Sequence, residues 1–316
     1  MKISLFQEEG NSFDVFLPKR NSHEKTVCCA GRVGAVSNCS VGFVKKKGQI
    51  VESGRWVNYI KPVLGHMAIR EITRFDYLLL RRHLEDHGLS PQTVYHCLSL
   101  LRRVLNKACE WKGEAFSAPS FKNVMPKFDN RRQRYLDNEE ARVLFDSIKK
   151  VDGTGNWHDI SLFAINTGLR RSEIFKLKQS NINFGDNTVR VVDTKSNKNR
   201  IIPLNNIAYD ILVKRKELLE SNYSNIFNDK NPRLFRRAVE YSGVNKGVVD
   251  LRDKVVFHTF RHTFASWLVQ GGVPLALVGQ LLEHSSIYIT MRYAHLSVSQ
   301  AIDAVDLINC RMRQIY

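Results

Sequence analysis

The feature that most constrains the fold is a run of apolar residues at helical spacing after Ser90 and Pro91. Serine is a preferred N-cap residue, and proline is favoured in the first turn of a helix. The apolar residues that follow recur at i, i+3, i+4 and i+7, on one face of a long helix: Val94, Cys97, Leu98, Leu101, Leu105 and Ala108. A helix with one apolar face buries it against a core. The spacing therefore predicts a compact helical domain.

An earlier helix has its own start and stop signals. Thr73 and Asp76 have the spacing of a capping box, and Gly88 ends the helix. The apolar residues between these signals are Phe75, Leu78, Leu79, Leu80 and Leu84. Together the two helices predict a helical domain over residues 55–120.

Two stretches do not have a helical pattern. Residues 1–54 contain small and β-prone residues and then a basic segment at 45–48. They are interpreted either as a small hairpin with a basic turn or as a loosely ordered arm. Residues 121–135 contain few apolar side chains and Pro126, which predicts an exposed basic linker between two domains.

A second domain is predicted over residues 136–316. Asp137 and Glu140 form another capping-box pattern at the start of a helix. Further along, β-prone residues 189–193 and 200–204 flank a polar turn, which predicts a hairpin with Lys195 near its tip. The expected fold class is therefore mainly α and multidomain, with a small antiparallel hairpin or sheet. An amphipathic helix is predicted at the end from the spacing of Val298, Ala301, Ile302, Val305 and Ile308.

The chain is strongly basic. It has 48 Lys and Arg residues against 31 Asp and Glu residues, a formal net charge of +17. Such an excess attracts polyanions by Coulomb attraction and counterion release, and it favours nucleic acid as the partner. The basic residues of the helical domain and the linker are the candidates for phosphate contacts: Arg102, Arg103, Lys107, Lys127, Arg131, Arg132 and Arg134.

Composition also bears on the compartment. No apolar run approaches the roughly 20 residues that cross a bilayer, so no membrane association is expected. The first residues reach Glu8 and Glu9 too soon for a secretory signal. Six cysteines in a chain of 316 residues do not indicate a disulfide framework. These features favour reduced thiols and a cytoplasmic location beside the nucleoid.

Four segments of the second domain contain residues suited to chemistry at a phosphate. Gly168 breaks a helix and Ser172 is expected to cap the next one, so Arg170 lies at the bend between them. A His and an Arg three residues apart share one face of a helix. The complete set is Arg170, Lys195, His258 with Arg261, and His284 followed nine residues later by Tyr293.

In this order the residues resemble the catalytic domain of the tyrosine recombinases, the phage integrase family of site-specific DNA recombinases. The family's active site consists of Arg, Lys, His-x-x-Arg, His or Trp, and Tyr, which here correspond to Arg170, Lys195, His258, Arg261, His284 and Tyr293. Glu173 matches an auxiliary acidic position. The resemblance is strong over residues 136–316 and weaker over 56–118, where it implies a core-binding domain.

The resemblance also implies a reaction and partners. It implies a 3′-phosphotyrosyl intermediate on double-stranded DNA with specific recombination sites, formed without a cofactor or metal. It further implies a homo-tetramer held together through the C-terminal helix, with the possible help of a DNA-bending accessory protein. The alternative for that helix is packing on its own domain.

The residue types suit this chemistry independently of the resemblance. Guanidinium groups keep their charge and meet two phosphate oxygens with a fork of donors, so Arg170 and Arg261 are candidates for a clamp. A phenol with a pKa of about 10 needs a base or a cation, which leaves His258 or His284 as the acceptor of the Tyr293 proton. Lys195 is the candidate that protonates the departing 5′ oxygen.

Several alternatives stay open at the level of sequence. His262 is interpreted as a core or supporting histidine, and its i, i+4 spacing from His258 only weakly suggests zinc, because no further ligand lies nearby. Tyr288 competes with Tyr293 but lacks the family spacing. For the function, a mobile-element integrase is favoured by the extra residues 1–54. A housekeeping resolvase of chromosome or plasmid dimers, a type IB topoisomerase and a non-catalytic DNA-binding relative are the alternatives.

Overall fold

The protein forms two compact units, Met1–Asn130 and Arg131–Tyr316. Its computed structural model describes residues 46–112, 117–192, 199–218, 225–228 and 231–297. The architecture is mainly helical with one small antiparallel sheet, as the sequence predicts.

Helices build the described part of the first unit. They are α1 (Lys46–Arg55), a π-helical turn (Trp56–Ile60), α2 (Lys61–Leu64), a 3-10 turn (Ile69–Glu71), α3 (Arg74–Asp86) and α4 (Pro91–Lys112). The structure differs here from the predicted hairpin, because residues 46–48 belong to α1 and helical structure begins before residue 55. The chain continues without a break from α1 into the turn of Trp56 and Ile60, whose side chains are buried.

The core of the first unit confirms the predicted apolar face of α4. Its six apolar residues named above are all between 0% and 2% exposed. In α3 the capping box is confirmed, since the Thr73 N–H donates to Asp76 Oδ2 at 2.8 Å. The buried face of α3 carries Tyr77, Leu80 and Leu84, whereas the other predicted apolar residues, Phe75, Leu78 and Leu79, are exposed.

Residues 121–130 belong to the first unit. Phe121 and Val124 are buried in its core, and the Phe121 ring stacks on Tyr77 with centroids 3.8 Å apart. Arg81 Nη1 also donates to the Val124 carbonyl oxygen at 3.0 Å. This differs from an exposed linker over 121–135, because two apolar side chains are enough to anchor the segment to the core. The boundary between the units lies after Asn130.

Most of the helices that the structure describes lie in the second unit. They are α5 (Asn138–Val151), α6 (Asn156–Thr167), α7 (Arg171–Ile174), a 3-10 turn (Gln179–Asn181), α8 (Asn206–Lys216), α9 (Arg233–Ser242), α10 (Thr259–Gln270), α11 (Leu275–Leu282), α12 (Ile287–Thr290) and a 3-10 segment (Met291–Ser297). The predicted capping box at α5 is confirmed, with the Glu140 N–H donating to Asp137 Oδ1 at 2.8 Å. Large aromatic side chains of α6 and α10, including Trp157, Phe163 and Phe260, fill the core.

A three-stranded antiparallel sheet lies between α7 and α8. Its strands are β1 (Ile182–Asn183), β2 (Thr188–Val191) and β3 (Arg200–Pro203), in the order β1-β2-β3. The β2–β3 pairing, with Val191 opposite Arg200, confirms the predicted hairpin, and β1 extends it. The turn at 193–198, with Lys195, lies outside the described residues.

Two further predictions concern the ends of the chain and the membrane. The predicted terminal helix, like residues 1–45, lies outside the described residues. Among the residues that the structure describes, no helix is both long and apolar enough to cross a membrane.

Candidate active site

A pocket of about 480 Å³ opens in the second unit. Five of the six predicted site residues line it: Arg170, His258, Arg261, His284 and Tyr293. These residues come from three of the four segments singled out in the sequence. The pocket wall also includes five residues that the sequence analysis did not assign to the site: His262, Glu283, Ser285, Ile289 and Arg292.

A sharp turn at Gly168 places Arg170 in the pocket. Gly168 ends α6 with φ +62°, a left-handed conformation that favours glycine, and a Cβ there would lie 2.9 Å from Leu282 Cδ2. Arg170 is then the N-cap residue of α7. The prediction that Ser172 caps this helix is wrong, because Ser172 lies inside α7 and Glu173 caps it by accepting the Arg170 backbone N–H at 2.9 Å.

Glu173 joins Arg170 to a second arginine. Arg170 Nη1 donates to Glu173 Oε1 at 2.7 Å, and Arg200 Nη2 donates to Glu173 Oε2 at 2.9 Å. Burial alone would raise the pKa of the Glu173 carboxyl, but the hydrogen bonds and charges of Arg200 and Arg170 outweigh it and lower that pKa. Glu173 therefore stays ionised and holds both guanidinium groups.

Arg200 was missed at the level of sequence because it reads as an ordinary strand residue. It begins β3, opposite the end of β2, and its Nη1 also donates to Glu283 Oε2 at 2.5 Å. Arg200 thus connects the base of the hairpin that carries Lys195 with two carboxylates, those of Glu173, which holds Arg170, and Glu283, which lines the pocket.

Glu283 has an unusual backbone conformation. Its φ is +52°, in the left-handed region that non-glycine residues rarely adopt. Such a conformation costs on the order of 1–3 kcal/mol and persists when surrounding contacts hold it. The Glu283 ion pairs with Arg200 and Arg170 provide such contacts, and the turn brings His284 directly after the end of α11.

Arg261 connects two backbone turns. It is 4% exposed, and its Nη1 donates to the Gly168 carbonyl at 2.8 Å while its Nη2 donates to the Leu282 carbonyl. A guanidinium has five N–H donors, and two of those of Arg261 bond to carbonyls among the described residues, so a ligand in the pocket can bond to others. Burial, and then the charge of Arg170, lower the pKa of Arg261 to about 9, which still leaves it protonated at neutral pH.

Two pocket histidines, His258 and His284, are neutral at pH 7. Burial and then the positive charge of Arg261 lower the pKa of His284 to about 4, and the same causes lower that of His258 to about 4. His258 is exposed as a whole residue and lines the pocket. His284 Nδ1 lies 2.8 Å from the fully buried hydroxyl of Thr290. This contact fixes the orientation of the His284 ring.

Tyr293 pairs with a histidine that the sequence placed only in a supporting role. Its hydroxyl lies 2.6 Å from His262 Nδ1, and the two residues are 4% and 6% exposed. Burial raises the pKa of the Tyr293 phenol, and the charges of Arg292 and Arg261 offset this only in part. The competing Tyr288 is 83% exposed and does not line the pocket.

The predicted phosphate contacts fall in both units. In the first unit, Arg102 lies with its guanidinium 6.0 Å from the centre of the Phe121 ring. Arg103 pairs with Glu52 at 2.7 Å, and Lys107 pairs with Glu110.

The predicted basic residues after position 126 divide between the units. Lys127 is exposed near the end of the first unit, and Arg131 is exposed at the start of the second. Arg132 Nη1 donates to the Lys254 carbonyl at 3.3 Å. Arg134 pairs with Glu140 and is half-buried.

Comparison with known proteins identifies the family. The model of the phage integrase family matches residues 134–300, more than half of the chain and the whole described pocket. The chain belongs to the phage integrase family. It is thus a tyrosine recombinase, an enzyme that transfers DNA strands.

Two kinds of relative are similar to this recombinase. Tyrosine recombinase XerD of Staphylococcus aureus is 28% identical over 263 residues, which span 78% of this chain and 88% of the relative. The integrase of Escherichia phage 186 is 31% identical over 235 residues, which span 69% of this chain and 61% of the relative.

Solved structures share the fold of this recombinase. The Tn1549 transposon integrase, in complex with a circular intermediate DNA, is 18% identical with a TM-score of 0.69, covering 84% of this chain and 95% of that one. A λ integrase tetramer bound to a Holliday junction is 19% identical with a TM-score of 0.64, covering 81% and 78%.

Proposed function

We propose that this recombinase cuts and rejoins DNA at specific sites to integrate or excise a mobile element. The observation that carries the proposal is the convergence of distant residues, Arg170, His258, Arg261, His284 and Tyr293, on one pocket. Fixed cations beside one hydroxyl suit a phosphodiester, whose negative charge increases in the transition state.

In the proposed reaction Tyr293 Oη attacks the phosphorus of one DNA strand. The bond from phosphorus to the 5′ oxygen breaks, a 3′-phosphotyrosyl bond forms, and Lys195 donates a proton to the departing oxygen. The 5′ hydroxyl of a second strand then attacks the phosphotyrosine and releases Tyr293. Because one phosphodiester replaces another, the reaction consumes no nucleotide.

The pocket residues have distinct proposed roles. Arg170 and Arg261 stabilise the nonbridging oxygens, and Glu173 holds Arg170 in place before substrate arrives. When the Thr290 hydroxyl donates to His284 Nδ1, the ring proton of His284 resides on Nε2. His284 can then donate to a phosphate oxygen without needing a positive charge. His258, at the mouth of the pocket, is assigned the same donor role.

The proposed partners follow from charge and from the relatives. Double-stranded DNA contacts the basic residues of both units, where ion pairs such as Arg103–Glu52 exchange a carboxylate for a phosphate. A homo-tetramer assembles on two paired sites through residues 298–316, and the tetrameric λ integrase supports this number of subunits. A DNA-bending protein assists, and the site of action is the cytoplasm beside the nucleoid.

A second candidate function is resolution of chromosome or plasmid dimers by the same chemistry. The similarity to XerD, which spans 88% of that relative, favours it. The higher identity to the phage 186 integrase and the additional residues 1–54, proposed to bind arm-type DNA sites, favour the mobile element.

Covalent capture from random DNA sequence tests the nucleophile. The protein is incubated with nicked duplexes of randomised sequence, and adducts that survive detergent are isolated and sequenced. We expect adducts from the wild type and from Tyr288→Phe, and none from Tyr293→Phe, because the lost hydroxyl is the attacking group. Adducts that persist in Tyr293→Phe contradict the assignment of the nucleophile.

The captured sequences then distinguish the functions. For an integrase, they match the DNA that borders its own gene, and two such sites recombine in a plasmid assay. Sites elsewhere in the chromosome that convert plasmid dimers to monomers favour the housekeeping role. Relaxation of a plasmid with one site, without recombination between two, favours a topoisomerase. Binding without any adduct favours a non-catalytic relative.

A further inference from the structure

His262 contacts the atom that the proposed reaction uses as its nucleophile. We propose that His262 is a catalytic residue whose Nδ1 accepts the phenolic proton of Tyr293 as Tyr293 Oη attacks phosphorus. The inference rests on the proposed function, and it differs from the assignment of this task to His258 or His284.

The contacts in the pocket favour His262 over its neighbours. The Tyr293 hydroxyl and His262 Nδ1 are 2.6 Å apart, which is the distance of a strong hydrogen bond. His284 uses its Nδ1 for the contact with Thr290. The ring of His258 meets the His262 ring edge-on, with centroids 4.9 Å apart, and no hydrogen bond between His258 and Tyr293 occurs among the described residues.

The protonation states are consistent with an acceptor. Burial, and then the nearby His258 and Arg292, lower the pKa of His262 to about 3, so its ring is neutral at pH 7. A neutral imidazole has one acceptor nitrogen. A phenol can donate or accept, and in the proposed arrangement the Tyr293 O–H donates to Nδ1 while the ring proton of His262 resides on Nε2.

Substrate binding would strengthen this base when it is needed. Positive charges of Arg292 and Arg261 lower the proton affinity of His262, and both residues also line the pocket. A phosphodiester brings a negative charge to these cations, and attack adds another. The proton affinity of His262 then rises as charge develops. The phenol therefore stays neutral until DNA occupies the pocket.

The proposed step balances in atoms and charge. The bond between Tyr293 Oη and phosphorus forms, and the phenolic proton moves to His262 Nδ1. The bond between phosphorus and the 5′ oxygen breaks, and that oxygen takes its proton from Lys195. In the reverse step, His262 returns its proton to the tyrosine that departs, in accordance with microscopic reversibility.

The variant His262→Asn removes the ability to take up a proton but keeps a hydrogen-bond acceptor for Tyr293. The asparagine Oδ1 occupies a position near that of Nδ1 and still accepts a hydrogen bond, but it does not take up the proton. We expect adduct formation on a captured duplex to slow by about 10²–10⁴-fold, the usual range for a general base. His295→Asn, at an exposed histidine two residues after Tyr293, is the matched control and is expected to keep the wild-type rate.

Changing the acidity of the nucleophile separates a catalytic role from a structural one. 3,5-Difluorotyrosine at position 293 has a more acidic phenol, which needs less help from a base. The rate ratio between wild type and His262→Asn should therefore shrink at least tenfold with this residue. A ratio that does not change means that the substitution only disturbs packing, and it overturns the proposal.

Changing the leaving group tests whether His262 acts on the attacking tyrosine oxygen or on the departing 5′ oxygen. A bridging 5′ sulfur leaves without a proton, so it should restore cleavage by Lys195→Ala but not by His262→Asn. Rescue of His262→Asn by sulfur overturns the proposal, as does a wild-type rate in His262→Asn with the oxygen substrate. Absence of adducts from the wild-type protein on every duplex would instead contradict the proposed function itself.

Discussion

The two units bury different kinds of side chain. Among the described residues, every buried polar or charged side chain belongs to the second unit, from Ser147 to Thr290. The described core of the first unit consists of apolar side chains such as Leu98 and Leu101. Burying a polar group costs free energy unless it is hydrogen-bonded. Most of these groups are paired, whereas the hydroxyls of Ser161 and Ser266 have no hydrogen-bond partner among the described residues. The polar network of the second unit provides the pocket, whereas the apolar core of the first unit supports basic side chains at the surface.

The comparison predicts the largest effect for Arg261→Lys. The variant keeps the positive charge but cannot bond the Gly168 and Leu282 carbonyls and a phosphate together. We expect adduct formation to slow by about 10²–10³-fold, on the order of 3–4 kcal/mol, as on loss of an oxyanion-hole donor. The rate is measured with a saturating concentration of a duplex whose sequence was identified by covalent capture. Arg102→Lys on the first unit is the matched control, and an equal loss in both variants contradicts the contrast between the units.

A smaller effect is predicted for Arg200→Gln. The variant releases Glu173 and Glu283 and loosens the base of the hairpin that carries Lys195. We expect cleavage to slow by about 10–100-fold, roughly 1.4–2.7 kcal/mol. If the loss arises through Lys195, the substrate with the sulfur leaving group recovers most of the rate. Arg190→Gln, exposed on β2, is the control, and absence of any loss in Arg200→Gln removes the positioning role.

The buried histidines of the second unit predict acid sensitivity. In the unfolded chain His262 binds a proton below pH 6.5, but in the folded protein only near pH 3, since its pKa is about 3. Between about pH 3 and pH 6.5 the unfolded state therefore binds more protons than the folded state does. Stability should fall as pH decreases through this range, by up to about 1.4 kcal/mol per pH unit for this one proton.

Hydrogen exchange followed by mass spectrometry measures this effect separately in each unit. The second unit should open more readily than the first as pH falls from 6.5 towards 4, since the pKa of His284 is also lowered, to about 4. His262→Asn should make the free energy of unfolding depend less steeply on pH, by the equivalent of about one bound proton. An equal acid response in both units would contradict the assignment of neutral buried histidines.

The smallest effect is predicted for Arg102→Ala on the first unit. The side chain is exposed and contributes a proposed phosphate contact, so its loss should weaken DNA binding uniformly across sequences. The slope of log affinity against log salt should decrease by about 1, while the cleavage rate at saturating DNA stays constant. A changed rate with an unchanged slope would place Arg102 outside the phosphate contacts.

Local sequence signals predicted the elements well. Capping boxes at Thr73–Asp76 and Asp137–Glu140, and the apolar face of α4, depend on residues within one or two turns of each other. The error at Ser172 arose because the Glu173 carboxylate, three residues from Arg170, satisfies the same backbone N–H. The burial of Phe121 and Val124 escaped prediction because it depends on a core formed elsewhere in the chain.

The sequence by itself determined the kinds of residue in the pocket, their order along the chain, the main helices and the hairpin, and the positive charge. Only the tertiary structure decided that Tyr293 meets His262, that Arg261 bonds two backbone turns, and that Arg200 shares carboxylates with Arg170. The physical reason is the separation along the sequence over which each interaction acts. Capping and periodicity act within a few residues, whereas these contacts join segments 20 or more residues apart, and their distances exist only once the helices pack.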